Sequence, residues 1–324
     1  MSVGIDIGTM NLVAARKDGG NVSIKRMRDA FLDLPPQAKR VLQLTEASYI
    51  TLEDQILLLG DQALELAAMF KREARRPLAG GLVSPGETQG IDVLTFMLKS
   101  LLGEPSSPNE SCYYSIPANP VDDPTKDTIY HKRQFYKILD KLGYRPTASN
   151  EAMAIVFSEA ASDGFSALSF SFGSGMTNVA LAYTAIEAMS FSVAKGGDWI
   201  DSRAGRSINK TASQICTIKE GGFDIRNPKD RNEEAISFYY RELMENSINE
   251  VRKQFILRGL EGSINKPIPV VVSGGTSVAG GFIELFTEEL NRKKMPIKIS
   301  GVRHASDPLN AVAKGLLVQA SQED

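Results

Sequence analysis

The stretch SFSFGSGMTNVALAY, Ser169 to Tyr183, decides how the rest of the chain is read. An apolar run ends at Phe172, a glycine-broken turn follows, and a second β-rich run begins at Thr177, so the pattern is a hairpin. Glycine lets a turn tighten and leaves no Cβ in the way of a bound anion. Backbone N–H groups in such a turn converge on one point and can cradle a phosphate. Yet the stretch carries no charged residue. On these grounds it is a working phosphate loop, a weakened one, or only a hairpin.

Outward from it, Ala167 to Phe172, Thr177 to Tyr183 and Ala185 to Ala194 read as three consecutive strands. The chain opens on the same pattern, with Val3 to Thr9, Asn11 to Lys17 and Val22 to Met27. Asp6 to Val13 (DIGTMNLV) lies against Ser171 to Ala180 (SFGSGMTNVA), with two extra residues in the second turn and an asparagine before each returning strand. Both meanders are followed by mixed helix and strand. The expected architecture is therefore α/β, with two similar halves facing each other across a cleft. We expect the first domain over 1–144 plus 306–324 and the second over 145–305.

Between these landmarks, Gln55 to Leu59 reads as a strand, and a helix is expected from Asp61 to about Arg75, broken by Arg76 to Gly81. Thr88 to Leu102 is helical by the spacing of Ile91, Leu94, Leu98 and Leu101. Cys112 to Ile116 is a strand, and Ile129 to Leu142 a helix ended by Gly143. Asn150 is placed to cap a helix that starts at Glu151. A long helix over Arg231 to Arg258 carries Ile236, Tyr240, Leu243, Ile248, Val251 and Phe255 on one stripe, which is a core face before it is a partner surface.

Composition narrows the function classes. The 324 residues are 42% hydrophobic and 23% charged, ordinary for a chain with two substantial cores. With 37 basic residues against 39 acidic ones, no overall field invites nucleic acid or an anionic membrane. Cys112 and Cys216 are far apart, without metal-ligand spacing, which fits a reducing compartment. The start, MSVGIDIG, enters a strand pattern directly, so a cytoplasmic protein without membrane insertion is expected.

Further segments make the hairpin pair recognisable. Gly4 to Asn11 resembles the first phosphate loop of the actin, MreB and DnaK-type chaperone superfamily. Val270 to Ser277 resembles its adenosine motif, Asp307 to Gly315 its closing helix, and Asn150 to Ala154 the helix start that carries a water-activating carboxylate. Leu59 to Ala63 and Arg76 to Gly81 look most like the MreB branch, and Gly196 to Asp201 is similar to both MreB and the chaperones. Since the chain ends soon after the closing-helix motif, the chaperones' peptide-binding domain is not expected.

The resemblance implies Mg-ATP between the two domains. It makes Asp6 the residue that holds Mg²⁺ through water; read alone, Asp6 stabilises a tight turn equally well. Gly8, Thr9, Met10 and Asn11 then bind phosphate, as do Gly173, Ser174, Gly175 and Thr177 of the second loop. Glu151 orients or deprotonates the attacking water, where the bland reading is a carboxylate favoured by the helix dipole. Gly196, Gly197 and Asp198, and Gly274, Gly275 and Thr276, fall near the nucleotide, although Asp198 can serve simply as a cap. The family's adenine contacts fall near Ser213 and Cys216. Ser171 stands where the family has an aspartate. A charged hydrogen bond is worth about 1.5–3 kcal/mol against about 1 for a neutral one. If that difference is felt only in the transition state, hydrolysis slows by about one to two orders of magnitude.

The implied function is a prokaryotic actin-like protein that hydrolyses ATP slowly and self-associates into filaments. A monomeric chaperone-like or regulatory switch is the alternative, and a small-metabolite kinase a third, which Ser171 disfavours by removing a carboxylate.

Overall fold

The computed structural model describes residues 2–322 apart from positions 19, 46, 53 and 71. The β-rich opening folds as a meander of β1 (Ser2–Ile7), β2 (Asn11–Asp18) and β3 (Asn21–Arg28). A separate small sheet follows, built from β4 (Phe31–Leu34), β5 (Tyr49–Leu52) and β6 (Gln55–Leu59), with α1 (Lys39–Leu44) between the first two. After α2 (Asp61–Met69), a short ribbon of β7 (Leu78–Ala79) and β8 (Leu82–Val83) leads into α3 (Gly90–Leu102). Then β9 (Glu110–Ile116), α4 (Ile129–Lys141) and β10 (Tyr144–Asn150) add two parallel strands beside β1. The first sheet runs β10-β9-β1-β2-β3.

The second half repeats this plan. From α5 (Glu151–Glu159) the chain enters β11 (Ala167–Phe172), β12 (Thr177–Tyr183) and β13 (Ile186–Val193), again an antiparallel meander. Three helices follow: α6 (Gly197–Ile208), α7 (Ala212–Glu220) and α8 (Arg231–Leu257). β14 (Ile268–Ser273), α9 (Phe282–Arg292) and β15 (Ile299–His304) complete the sheet in parallel, and α10 (Ala311–Ala320) closes the fold. The order β13-β12-β11-β14-β15 has the connectivity of the first sheet.

The helix after each sheet's last strand crosses to the other half. α5 packs on β11 and β12 of the second sheet, while α10 packs on β1 and β9 of the first. The two helices meet at Ala154 and Gly315, where a Cβ on Gly315 would lie 1.7 Å from the Ala154 carbonyl oxygen. Only glycine admits that approach. Gly4 does the same for α10 on β1, since its Cβ would lie 2.3 Å from the Leu317 nitrogen. Each half has its own core: Val3, Ile5, Val93, Leu98 and Phe135 are buried in the first, Phe170, Phe172, Phe282 and Phe286 in the second. The stripe on α8 faces that second core, with Ile236, Tyr240, Leu243, Ile248, Val251 and Phe255 all buried.

Several local expectations change. The helix expected to reach Arg75 ends at Met69 because Arg75 is drawn into an extended bridge with Phe31; position 71 within it lies outside the described residues, as do 323 and 324. The third strand of the second meander begins at Ile186, after a turn in which Thr184 and Ala185 take φ of 50° and 65°. The second glycine turn has no extra residues. Asp6 pairs with Val13 in the first hairpin and Ser171 with Asn178 in the second, and Gly8 N–H donates to the Asn11 carbonyl as Gly173 N–H does to Met176. Asn178 therefore matches Val13 rather than Asn11. Among the described residues no helix is long and apolar enough to cross a membrane.

Candidate functional site

Each meander begins with a buried strand whose end delivers a residue to the space between the sheets. Asp6 comes from β1 and Ser171 from β11, at equivalent register positions. Just beyond them the two glycine turns face one cavity of about 780 Å³. Of the residues singled out from the sequence, Asp6, Gly8, Thr9, Met10 and Asn11 line it from the first half, with Glu151 at the start of α5. Ser171, Gly173, Ser174, Gly175, Gly197, Gly274, Gly275 and Thr276 line it from the second.

Three others are turned to other partners. The Thr177 hydroxyl donates to the Lys195 carbonyl at 2.9 Å. Gly196 is packed against the second turn, where a Cβ would lie 2.5 Å from the Ser174 carbonyl oxygen. Asp198 has no side-chain capping bond; its carboxylate accepts from Ser174 Oγ at 2.7 Å and pairs with Arg76 at 3.1 Å. Of the two expected base contacts, Cys216 lines the cavity, with burial pushing its thiol up to about 11, whereas Ser213 is exposed on α7.

At the centre are two half-buried carboxyl groups. Asp6 Oδ1 accepts from Ser115 Oγ at 2.8 Å, and that hydroxyl accepts in turn from the Ile7 N–H at 2.7 Å. Burial pushes Asp6 up to about 6, partly offset by Ser115. Glu151 is positioned by its cap: Asn150 Oδ1 accepts from the Ala152 and Met153 N–H groups at 2.9 and 3.0 Å. Its carboxylate accepts from Ser171 Oγ at 2.5 Å and Asn178 Nδ2 at 2.9 Å. Burial first, and then the neighbouring Asp6, push it up to about 8, against those two donors. Asn178 is itself oriented by a hydrogen bond that its Oδ1 accepts from Ser192 Oγ. All these groups offer oxygen or amide atoms and no sulfur or imidazole, a hard donor set suited to magnesium beside phosphate. No cluster of three or more metal-ligating side chains occurs among the described residues. Magnesium needs none when phosphates and water complete its shell.

Sequence reasoning missed Ser115, Asn178, Arg28, Lys219 and Glu220. Lys219 and Glu220 end α7 on the cavity wall, Lys219 pairing with Asp201 at 2.8 Å and Glu220 with Arg28 across the cleft at 2.8 Å. The available signal was the Thr211–Gln214 capping box, which fixes the register of α7 and so the residues at its far end. Ser115 gave none, because its partner lies 109 residues away.

Two sheets of like connectivity, with exchanged closing helices and a cavity lined by two equivalent glycine turns, define the fold of the actin-like ATPases. Within it the chain belongs to the Volactin family, whose sequence profile matches residues 1–320. No curated protein matches the chain. Among solved structures it is similar to MamK in a double helical filament, at 17% identity over 98% of each chain with a TM-score of 0.74. It is also similar to MreB5 of Spiroplasma citri bound to AMPPNP, at 15% identity over 99% of this chain and 96% of that one, TM-score 0.65. A third is the ethanolamine utilization protein EutJ from Carboxydothermus hydrogenoformans, at 17% identity over 98% and 89%, TM-score 0.56.

Proposed function

We propose that this protein binds Mg-ATP between its two halves, hydrolyses it slowly and assembles into filaments. The observation that carries the reading is the pair of glycine turns in matching register on one cavity, with Asp6 and Glu151 beside them. Similar folds described as a MamK filament and as MreB5 with AMPPNP or ADP lend support. We take the two sheets with their covering helices as the two domains.

The Gly8–Asn11 and Gly173–Met176 turns would receive the phosphates on their N–H groups, while the Gly274–Thr276 turn leaves room for the nucleoside. Asp6, steadied by Ser115, would hold hydrated Mg²⁺. The ion, when bound, neutralises phosphate charge and orients the terminal group. Its positive charge would favour the ionised form of both carboxyl groups. Glu151 then orients water toward the terminal phosphate, and as an ionised carboxylate it can accept the proton. Ser171 directs its hydroxyl to Glu151. It therefore steadies the base in place of the charge that a carboxylate would add, which keeps turnover slow.

Titration of ATP with and without Mg²⁺ tests the site, and Gly275→Val is the informative variant. A Cβ at Gly275 would meet only Leu309 Cδ2, at an ordinary 3.6 Å, so the position has room for a Cβ, and it lines the cavity. Gly275→Val is expected to weaken ATP at least tenfold at unchanged melting temperature, roughly 1.4 kcal/mol of binding. Asp6→Ala is expected to abolish the Mg²⁺ dependence. Unchanged affinity in both variants removes the nucleotide reading.

A further inference from the structure

The segment from Arg76 to Gly81 leaves the first half and lies against the second phosphate turn. It is anchored at home twice. The Leu78 N–H donates to Asp29 Oδ2 at 3.1 Å, and the Asp29 N–H donates to the Met10 carbonyl of the first turn at 3.1 Å. Gly81 N–H donates to Thr9 Oγ1 at 3.1 Å. On its far side a Cβ on Gly175 would lie 2.1 Å from the Gly81 nitrogen, so the second turn is seated directly on this segment.

Arg76 completes the contact. Its Nη1 donates to both oxygens of Asp198, at 3.2 and 3.1 Å, and its Nη2 to Oδ1 at 3.3 Å. Both side chains are about one-third exposed, at 34% and 29%. Asp198 is itself part of the second turn's support. Its N–H donates to the Ser174 carbonyl at 2.9 Å, its carboxylate accepts from Ser174 Oγ, and the Gly197 N–H donates to the Gly173 carbonyl at 2.9 Å. Burial holds the nearby Asp29 carboxyl well above its ordinary range, against the Leu78 N–H and the Arg76 charge, which both pull it down. A guanidinium fork that grips one carboxylate in this way fixes direction as well as distance.

We propose that Arg76 is a positioning residue that acts through Asp198: it latches the second phosphate turn to the first half across the cleft, so that the turns stay in register and bound nucleotide is retained. The latch is a property of the polypeptide; its effect on nucleotide rests on the reading of the cavity as an ATP site.

The test uses the full chain as wild type, Arg76→Ala, Arg76→Lys, and the charge-exchanged pair Arg76→Asp with Asp198→Arg. Hydrogen exchange of the nucleotide-free proteins reads the latch itself. In Arg76→Ala, amides of residues 173–177 should lose protection by about fivefold or more, while those of β14 do not change, the scale of a partly screened, two-pronged ion pair. Release of a fluorescent ATP analogue, chased with ATP, should accelerate by a similar factor, roughly fivefold, with the change in koff. The charge-exchanged pair should recover most of both losses. Unchanged protection at 173–177 in Arg76→Ala, or no recovery in a charge-exchanged protein that melts with the wild type, overturns the proposal. If Arg76→Ala does not fold, Arg76→Lys decides: protection lost only at 173–177 supports the latch, and unchanged protection refutes it. Should the wild type take up no nucleotide, the ATP reading falls, while the exchange measurement still decides the latch.

Discussion

Glu151 is where burial and charge conflict most sharply. Its carboxyl is pushed up from an ordinary 4.5 to about 8, mainly because it is buried and then because Asp6 stands beside it. Asp6 moves in the same direction, to about 6. In the unfolded chain both groups ionise in the ordinary range, so between that range and about 8 the folded protein binds more protons than the unfolded one, and stability must fall as pH rises. The ligand-free protein in chelator is therefore expected to melt lower at pH 8.5 than at pH 5.5, by about 5 °C if a few kcal/mol are involved. Other buried acids, Asp29 and Asp201, add to that slope, which makes Glu151→Gln the needed comparison. Its melting temperature should depend less on pH and exceed that of wild type at pH 8.5. Parallel slopes in the two proteins would mean that Glu151 is ionised in the empty site. Saturating Mg-ATP should flatten the wild-type slope, because positive charge beside the pair favours its ionised form.

At the scale of elements, α5 and α10 cross closely, and the crossing depends on one missing side chain. With only 1.7 Å between a Cβ at Gly315 and the Ala154 carbonyl oxygen, Gly315→Ala must push the helices apart. The cost of overpacking is about 1–3 kcal/mol, so thermal unfolding should move down by several degrees or expression should fail. A variant that melts with the wild type would mean the crossing yields freely. The strands that build the two meanders were legible because Val, Ile and Phe runs there end at glycine turns, and α5 because Asn150 and Glu151 mark its start. β10 was not: YRPTASN is polar and holds Pro146, and such a strand forms only at a sheet edge, where a missing N–H costs no ladder bond. Anchoring the repeat on Asn11 and Asn178 misled the alignment of the turns, since strand register, invisible in one sequence, pairs Ser171 with Asn178. The carboxylate site was half legible. Asp6 and Glu151 sit in local motifs, whereas Ser115 and the Arg76–Asp198 pair join residues more than a hundred positions apart, with no local pattern to announce them.

For the whole molecule, the site and the crossing together define how binding could become assembly. Ties across the cleft already join the halves: Arg76 reaches Asp198, Arg28 reaches Glu220, and the Val121 N–H from the loop after β9 donates to the Ser192 carbonyl on β13. On the proposed reading, a nucleotide held by both glycine turns would add contacts that need the two halves together, and so would shift the population toward one shape by its differential affinity. Subunits of one shape that join head to tail without closing a ring form a filament, with a critical concentration below which nothing pellets. Assembly is thus expected to need Mg-ATP binding and not its cleavage. At ATP concentrations that load the wild type but not the variant, Gly275→Val should not assemble. Glu151→Gln should assemble at a critical concentration near that of wild type, release phosphate at least tenfold more slowly, the loss expected for removing a general base, and leave filaments that outlast those of wild type. Sedimentation, phosphate release and electron microscopy of the three proteins decide the matter. Wild-type protein that stays monomeric with Mg-ATP at every concentration, while still binding it, would favour a monomeric regulatory switch; filaments in Gly275→Val would separate assembly from the cavity altogether.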